Sequence, residues 1–330
     1  MNDQPRWPAG TPVAPSGRGP GGGRFRGVGT PGVGGWAGVV DGRLTRGWSN
    51  DAAGRRALFD AITSDSSHHT YQEMDQGETA LTRGVVLPDG RRMVTKQFGE
   101  ERAEHIFDEE TDDYEWGTPH WVAGADAEYE VAAEVGAARI AELIGARVPP
   151  VIPHPHDDTG VVMGFVDGVP GWDHDGAWLE GDPDVLDSVM RLGLLDMLIG
   201  NHDRHAGNWL VDDDGYPWGI DHGGAAAFHP GVTPPASPAD LGVPLGDWRR
   251  LWYTRLRWGP NRQPDVQFAT DVLHPDDIAE IRRRLRTLTI PRPGARGWEP
   301  PPLDDEALAY MEGVLDVLAP YAQAERRLIP

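Results

Sequence analysis

Apolar and polar residues alternate on either side of a short turn early in the chain. Residues 79–98 (TALTRGVVLPDGRRMVTKQF) place apolar side chains at alternate positions around Pro-Asp-Gly, a strong turn signal. This pattern predicts a β-hairpin, with Lys96 near the end of its second strand. A second apolar run, TGVVMGFVDG at 159–168, predicts a further strand that leads into a glycine-containing connection.

Helical periodicity appears in four segments. Residues 126–150 are alanine-rich, with apolar side chains at helical spacing and Gly145 as the expected end. Residues 183–200 are apolar on most faces, which predicts a buried helix. Two more helices are predicted at 275–289 and 303–323. The predicted elements follow the order strand hairpin, helix, strand and then mostly helices. This order indicates an α+β chain.

Two segments follow neither periodicity. Residues 1–36 hold 11 Gly and 6 Pro, with four Arg and one Asp, so we expect a disordered basic tail over 1–40. The acidic residues 99–121 predict a surface loop with short helical pieces. We expect an N-terminal lobe at 41–168 and a C-terminal lobe at 169–330.

Composition narrows the function classes. A net charge of −22 over 330 residues repels phosphate backbones and anionic lipids, so neither nucleic acid nor an anionic membrane is an expected partner. The chain has no cysteine, which excludes disulfides, thiolate chemistry and Cys-based zinc sites. No apolar run approaches the ~20 residues that span a bilayer, and no signal-peptide core is visible, so we expect a cytoplasmic protein.

The basic residues are strongly biased towards arginine. Of the 30 basic residues, 29 are Arg, and Lys96 is the single Lys. Arg and Lys are often exchangeable on surfaces, so one surviving Lys can be chance. It can also mark a place where a compact ammonium is needed, and its neighbourhood decides between the two.

Polar side chains cluster in residues 198–224 (LIGNHDRHAGNWLVDDDGYPWGIDHGG). The two short apolar runs around DDDG predict a hairpin that brings Asn208 and Asp221 together at its open end. Their amide and carboxylate oxygens suit Mg²⁺ held jointly with substrate phosphates. Asp203, on the loop just ahead, is placed to accept a hydroxyl proton, which gives the layout of a phosphoryl-transfer site.

Such a site also needs a cation at the nucleotide phosphates, oriented by an acid on a nearby helix. Lys96 and Glu134 are the candidates for that pair. Asx turns in the loop and a solvated helix face are the competing structural interpretations. The histidines make a zinc site an alternative interpretation. They lie in HPHDD (154–158) and at His202, His205 and His222. Metal-dependent hydrolysis is weakest, because it gives Lys96 no role.

Four segments carry a family resemblance: VTK (94–96), EVGAARIAELIGARVPP (134–150), IGNHDRHAGNWLV (199–211) and GIDHG (219–223). Together they resemble the phosphatidylinositol 3-/4-kinase-like branch of the protein-kinase-like superfamily, in particular its small bacterial members. The resemblance covers roughly residues 75–228. It implies a bilobal α+β fold with a small sheet-containing N-lobe and a larger helical C-lobe, and with ATP and Mg²⁺ between them.

The resemblance also implies residue roles. Asp203 would be the catalytic aspartate, Asn208 and Asp221 would hold Mg²⁺, and Lys96 would contact the ATP phosphates with Glu134 as its partner.

Other positions are less sharply defined. Glu130, one turn earlier on the same helix, is the alternative partner of Lys96. The segment MGFVD (163–167), including Phe165, would be the hinge whose backbone reads adenine. The phosphate-covering loop, expected at 75–84, lacks G-x-G-x-x-G, and the loop after Asp221 shows no acceptor motif.

The sequence thus predicts an ATP- and Mg²⁺-dependent phosphotransferase acting on a hydroxyl. We favour a protein Ser/Thr as acceptor, because an acidic chain without a visible membrane-binding helix suits an anionic bilayer poorly. A phosphoinositide or small-metabolite kinase, a nucleotidyltransferase that attaches AMP, and an ATP-binding pseudokinase regulator are the alternatives.

Overall fold

The chain combines an antiparallel sheet, helices packed against it, and a helical part that contains a smaller sheet, as seen in a computed structural model. This arrangement confirms the predicted α+β class. The structure describes residues 48–64, 69–74, 80–102, 105–108, 113–116, 120–171, 183–201, 203–204, 207–237, 273–290, 303–322 and 324. The predicted tail at 1–40 lies outside these residues, and the predicted lobe boundaries at 41, 168 and 169 remain predictions.

The first part of the chain builds the main sheet. Its elements are α1 (Ala52–Thr63), β1 (Thr70–Glu73), β2 (Ala80–Val86), β3 (Arg92–Arg102), β4 (His105–Asp108), β5 (Asp113–Trp116), β6 (His120–Ala123), α2 (Ala127–Ile144), β7 (Val151–Pro153) and β8 (Gly160–Gly164). The strand order is β1-β2-β3-β8-β7, β6 pairs with the end of β3, and all pairings are antiparallel. Strands β4 and β5 form a separate hairpin.

The predicted hairpin is confirmed as β2 and β3. Lys96 lies opposite Thr82 on β2 and Val161 on β8, so it sits in the middle of the sheet. Because side chains alternate between the faces of a strand, Val94, Lys96 and Phe98 share one face. Val94 and Phe98 belong to the large core that includes α2, which places Lys96 on the α2 side.

The opposite face of the sheet is covered by α1. Met93 and Val162 pack there with Leu58 and Ile62 of α1 in a second, smaller core. The segment before α1 also reaches α2, since Asn50 Nδ2 donates to the carbonyl of Ala138 at 2.9 Å. Helix α1 is therefore an integral part of the sheet region.

The second part is mainly helical. Its elements are β9 (Gly168–Pro170), α3 (Pro183–Ile199), β10 (Trp209–Asp212), β11 (Pro217–Gly219), a 3₁₀ turn (Ala226–Phe228), α4 (Pro275–Leu285), α5 (Asp305–Leu318) and a second 3₁₀ turn (Ala319–Tyr321). Strands β9, β10 and β11 form a three-stranded antiparallel sheet in the order β11-β10-β9. The predicted hairpin around DDDG and the predicted helices in this part are confirmed.

Helix α2 is tied to the helical part at its C-terminal end. The helix ends at Gly145 in the left-handed conformation (φ 72°), as its sequence predicts. Two arginines then satisfy its last carbonyls: Arg191 Nη1 donates to Ile144 O at 2.8 Å, and Arg284 Nη1 donates to Leu143 O at 3.1 Å. Any side chain on α2 thus has a fixed position relative to α3 and α4.

Several elements differ from the prediction. Helix α1 and strands β1 and β7 have no clear signal in the sequence. Helix α1 packs on strands that lie far along the chain, whereas β1 and β7 are only four and three residues long, too short to show a periodicity. The short helical pieces expected in 99–121 are wrong for the described residues there, which form the end of β3, the β4–β5 hairpin and the start of β6. Across the described residues, no helix is long and apolar enough to cross a bilayer.

Candidate active site

Lys96 is the centre of a buried ion-pair cluster. The residue is 8% exposed, Nζ donates to Glu134 Oε1 at 2.8 Å, and Nζ also contacts the Asp221 carboxylate. Burial by itself lowers the pKa of Lys96, but the charges of Asp221 and Glu134 outweigh it and the pKa is raised. The ammonium therefore stays charged, between one acid from α2 and one that follows β11.

Glu134 lies on the face of α2 that meets the sheet and is 1% exposed. Burial raises the pKa of its carboxyl, but the positive charge of Lys96 and the contact with His222 hold it well below its usual range. His222 Nδ1 lies 3.6 Å from Glu134 Oε2. Burial and the nearby Arg204 charge lower the pKa of His222, so its imidazole is neutral at pH 7.

The loop after α3 carries Asp203. Helix α3 ends at Ile199, and the next residue, Gly200, has φ 65°. An added Cβ on Gly200 would lie 2.5 Å from the Tyr310 hydroxyl, so glycine is required at this turn. Asp203 is exposed, in contrast to its buried neighbours Arg204 and Asn208. Asn208 Nδ2 donates to the carbonyl of Asp203 at 2.8 Å and lies 3.4 Å from Asp203 Oδ2.

The β10–β11 hairpin brings Asn208 close to Asp221. Trp209 pairs with Gly219, and the Ile220 N–H donates to the carbonyl of Asn208 at 3.1 Å. Asp221 has φ 60°, and no other non-glycine residue in the described ranges has a positive φ. This uncommon left-handed backbone turns the carboxylate of Asp221 back towards Lys96.

The oxygens of this hairpin fit a hard divalent cation. Asn208 Oδ1 is buried, and no donor in the described part of the chain reaches it. An unpaired buried acceptor is costly unless a ligand satisfies it. The Asp221 carboxylate adds a charged oxygen with 28% of its side chain exposed. Amide and carboxylate oxygens are ligands that Mg²⁺ accepts, so the residues fit this ion.

The zinc interpretation gains no support. No group of three or more His, Asp or Glu side chains within the described ranges could hold a metal ion. His222 is buried beside Glu134, while His154 and His156 contact each other with ring centroids 6.1 Å apart. His202 and His205 lie outside the described residues.

Phe165 lies just beyond the end of β8. Its N–H donates to the carbonyl of Arg92 at 3.3 Å, and the Arg92 guanidinium lies 4.1 Å from the centre of its ring. The backbone donor of Phe165 is thus already used inside the sheet. The segment 75–79, within the expected phosphate-covering loop, lies outside the described residues.

Two further acids lie near the site: Asp196, to which the sequence assigns no role, and Glu130, the alternative partner of Lys96. Asp196 on α3 is 1% exposed and contacts Arg204, and its only sequence signal is a lone acid within the apolar run LLDMLIG. Glu130 does not take the place of Glu134 beside Lys96. Its backbone lies one turn away, with Cβ 3.7 Å from the position that a Cβ on Gly223 would occupy.

The environment of Glu130 predicts how the stability of the protein depends on pH. Burial, opposed by Lys96 but reinforced by Asp126 and Asp221, raises the pKa of its carboxyl from 4.5 to about 7. The folded state therefore keeps a proton that the unfolded state loses, and stability falls as pH rises from about 4.5 to 7. Glu130→Gln removes this loss, so the variant should melt at a higher temperature than wild type at pH 8 and at the same temperature at pH 4.

Melting curves in EDTA across this pH range measure the effect. Glu128→Gln, at an exposed position on the same turn, is the matched control and should show no such pH-dependent difference. An equal offset between Glu130→Gln and wild type at pH 4 and pH 8 would contradict the raised pKa.

The fold and the arrangement of these residues are protein-kinase-like. A lysine on the third strand, its glutamate on the following helix, a loop aspartate, and an Asn–Asp pair across the next hairpin occur in the order expected of that fold. The predicted bilobal kinase-like class is confirmed at this level.

No protein-family model matches the chain, and no curated protein matches it significantly. Among solved structures, it is similar to the Rio2 kinase–ADP/Mg²⁺–phosphoaspartate complex from Chaetomium thermophilum (18% identity, 45% of each chain, TM-score 0.29). It is also similar to the MAP kinase LmaMPK10 from Leishmania major (14% identity, 82% of this chain and 84% of that chain, TM-score 0.29). A third similar structure is the Helicobacter pylori proinflammatory kinase CtkA (13% identity, 75% of this chain and 91% of that chain, TM-score 0.37).

The match spans less than half of the Rio2 kinase chain. With TM-scores of 0.29–0.37, these likenesses carry no argument about function, which rests on the geometry around Lys96.

Proposed function

We propose that the protein is an ATP- and Mg²⁺-dependent phosphotransferase that transfers the γ-phosphoryl group to a hydroxyl. The observation that carries this proposal is the position of Lys96 Nζ between Glu134 and Asp221, together with the unsatisfied Oδ1 of Asn208 on the strand end that pairs next to Asp221. The site thus offers three groups with different chemistry: a buried cation on β3, a carboxylate just after β11, and an unsatisfied amide oxygen just before β10.

Each residue then has one task. Glu134 holds the Lys96 ammonium, which supplies positive charge to the nucleotide phosphates. Asn208 and Asp221 would hold Mg²⁺, which neutralises charge on the phosphate oxygens when bound. Exposed Asp203 orients the acceptor hydroxyl and takes its proton while the acceptor oxygen bonds to the γ-phosphorus and the bridging bond to ADP breaks. Because the Phe165 N–H already donates to the carbonyl of Arg92, we propose that the Val166 N–H is the one that bonds to adenine.

For the acceptor, we propose a protein Ser or Thr. A net charge of −22 disfavours an anionic bilayer, and this charge is the reason to rank a phosphoinositide below a protein. Membership of the phosphatidylinositol 3-/4-kinase-like branch is also part of this proposal, supported by the DRHxxN and IDHG segments. A cytoplasmic location fits a supply of ATP and protein acceptors.

Two labels on ATP test the proposal. Purified protein with Mg²⁺ is given γ-³²P-ATP or α-³²P-ATP, with a Ser/Thr peptide mixture, phosphatidylinositol vesicles or a metabolite extract as acceptor. We expect label from the γ position only, on peptide or on the protein itself, and at least 100-fold less with Asp221→Ala, on the order of the loss seen for an essential electrostatic group.

Asp213→Ala is the matched control, because Asp213 is an exposed acid at the turn of the same hairpin. Label from the α position would move the chemistry to AMP transfer, and label on lipid or metabolite would replace the acceptor class. ATP binding without any transfer would identify a pseudokinase and overturn the proposal.

A further inference from the structure

Asp196 is a buried carboxylate without a task in the proposed chemistry. It lies on α3, three residues before the helix ends, and is 1% exposed among apolar neighbours. A buried charge is strongly unfavourable unless it is paired and hydrogen-bonded. Both oxygens of Asp196 accept such bonds, and their donors lie in the loop that follows α3.

The first arm from Asp196 runs through Arg204, whose side chain is fully buried. Arg204 Nε donates to Asp196 Oδ2 at 3.1 Å and Nη2 donates to Oδ1 at 3.0 Å, a bidentate pair. The remaining nitrogen, Nη1, donates to the carbonyl of Asn208 and, at 2.6 Å, to the carbonyl of Ile220. One guanidinium therefore joins α3 to the two strand ends that carry Asn208 and Asp221.

The second arm runs through Asn201, which is 2% exposed. Its Nδ2 donates to Asp196 Oδ1 at 2.9 Å, and its Oδ1 accepts from the N–H of Asp203 at 3.2 Å. This arm fixes the backbone of the exposed aspartate, whose carbonyl also accepts from Asn208 Nδ2 at 2.8 Å. The two arms start at Asp196 and bond different groups of the site: the carbonyls of Asn208 and Ile220 in one case, and the Asp203 N–H in the other.

We propose that Asp196 is a positioning residue that sets the geometry of the site through these two separable arms. Arg204 holds the spacing between Asn208 and Asp221, and Asn201 holds Asp203. Metal affinity depends on the groups that orient the ligands, whereas proton transfer depends on the placement of the base. The inference rests on the proposed function, since it gives the two arms different kinetic consequences.

Arg204→Lys tests the first arm. The ammonium keeps the charge opposite Asp196 but cannot form the bidentate pair and reach two carbonyls as well. We expect the Mg²⁺ concentration that half-saturates ADP binding to rise about 10-fold or more, measured by calorimetry of ADP at a series of Mg²⁺ concentrations. Binding of ADP in EDTA should not change.

Asn201→Ala tests the second arm. The ion pair between Asp196 and Arg204 stays, so the Mg²⁺ dependence of ADP binding should change far less than in Arg204→Lys. Loss of the bond to the Asp203 N–H should lower kcat about 10-fold or more with KM for ATP unchanged, as expected when a group acts only in the transition state. A purely structural role would lower the folded fraction in both variants and would not separate these two constants.

Amide hydrogen exchange without nucleotide gives a readout that does not depend on activity. Arg204→Lys should speed exchange at residues 207–210 and 219–222, and Asn201→Ala should speed it at Asp203 and Arg204. Asp187→Asn is the matched control, because Asp187 pairs with Arg191 on the same helix at 2.6 Å without reaching the loop. It should leave both segments and both constants as in wild type.

The outcomes separate the two proposals. Wild-type protein that never binds ADP in a Mg²⁺-dependent way defeats the proposed function, and the exchange data then decide the positioning role alone. Equal effects of both variants on both constants, or exchange rates as in wild type, would overturn the role of Asp196. If Arg204→Lys does not fold, Asn201→Ala alone still tests the two-arm arrangement. Unchanged hydrogen exchange at Asp203 together with unchanged kcat in this variant would refute it.

Discussion

Asp203→Asn is expected to lower kcat by roughly 10²- to 10⁴-fold, the range for losing a general base. Asparagine keeps the shape of the side chain but cannot take the hydroxyl proton. Because Asp203 is exposed and its backbone carbonyl still accepts from Asn208, the melting temperature and the affinity for ADP with Mg²⁺ should stay close to wild type. Steady-state kinetics with γ-³²P-ATP, calorimetry and thermal melts measure the three quantities.

The matched control is Asp213→Asn, an exposed aspartate in the turn between β10 and β11. It should have wild-type kcat. A variant at Asp203 that keeps wild-type turnover would show that this carboxylate is not the base. A variant that loses ADP binding as well would show that Asp203 belongs to the nucleotide site instead.

Lys96→Met is expected to lower the free energy of unfolding by about 3–5 kcal/mol, as for a buried ion pair that loses one partner. Glu134 would be left as a buried carboxylate next to a neutral His222. The same change removes the cation at the proposed phosphate site, so ADP affinity should fall as well. Urea unfolding and ADP calorimetry give the two values.

A second substitution separates these two effects. Lys96→Met combined with Glu134→Gln leaves no buried charge on α2, so part of the lost stability should return while ADP binding stays weak. Lys96→Arg tests the lone lysine, since a planar guanidinium does not have the shape of the compact ammonium between Glu134 and Asp221 and should not support binding. Full stability in Lys96→Met would show that Glu134 does not depend on this partner.

Much of the fold could be predicted because its signals are local. The β2–β3 hairpin follows from alternation around Pro-Asp-Gly, and the end of α2 follows from Gly145, the residue that takes up the left-handed turn. The buried helix α3 and the hairpin that carries Asn208 also have their periodicity or turn residues within one segment. Helix α1 escaped prediction because the strands it packs on lie far along the chain. Strands β4, β5 and β6 pair locally but escaped prediction because each is only four residues long.

For the site, the sequence determined which residue types were available and in what order. The single lysine, the loop aspartate and the Asn–Asp pair across a hairpin are visible in the printed sequence, and they suffice for a hypothesis about phosphoryl transfer. These residues do not show, from the sequence alone, how far apart they lie in space. Asp221 comes 125 positions and Glu134 38 positions after Lys96, and only the packing of the sheet on α2 brings the three side chains together.

Only the tertiary structure decided three points. It placed Glu134, and not Glu130, against Lys96, because one helical turn changes which side chain meets the sheet. It showed that the Phe165 N–H donates to the carbonyl of Arg92 inside the sheet. It also joined Asp196 to the loop and the hairpin through Arg204. Periodicity assigns a side chain to a face, but a buried charge finds its partners only when separate elements pack together and exclude water.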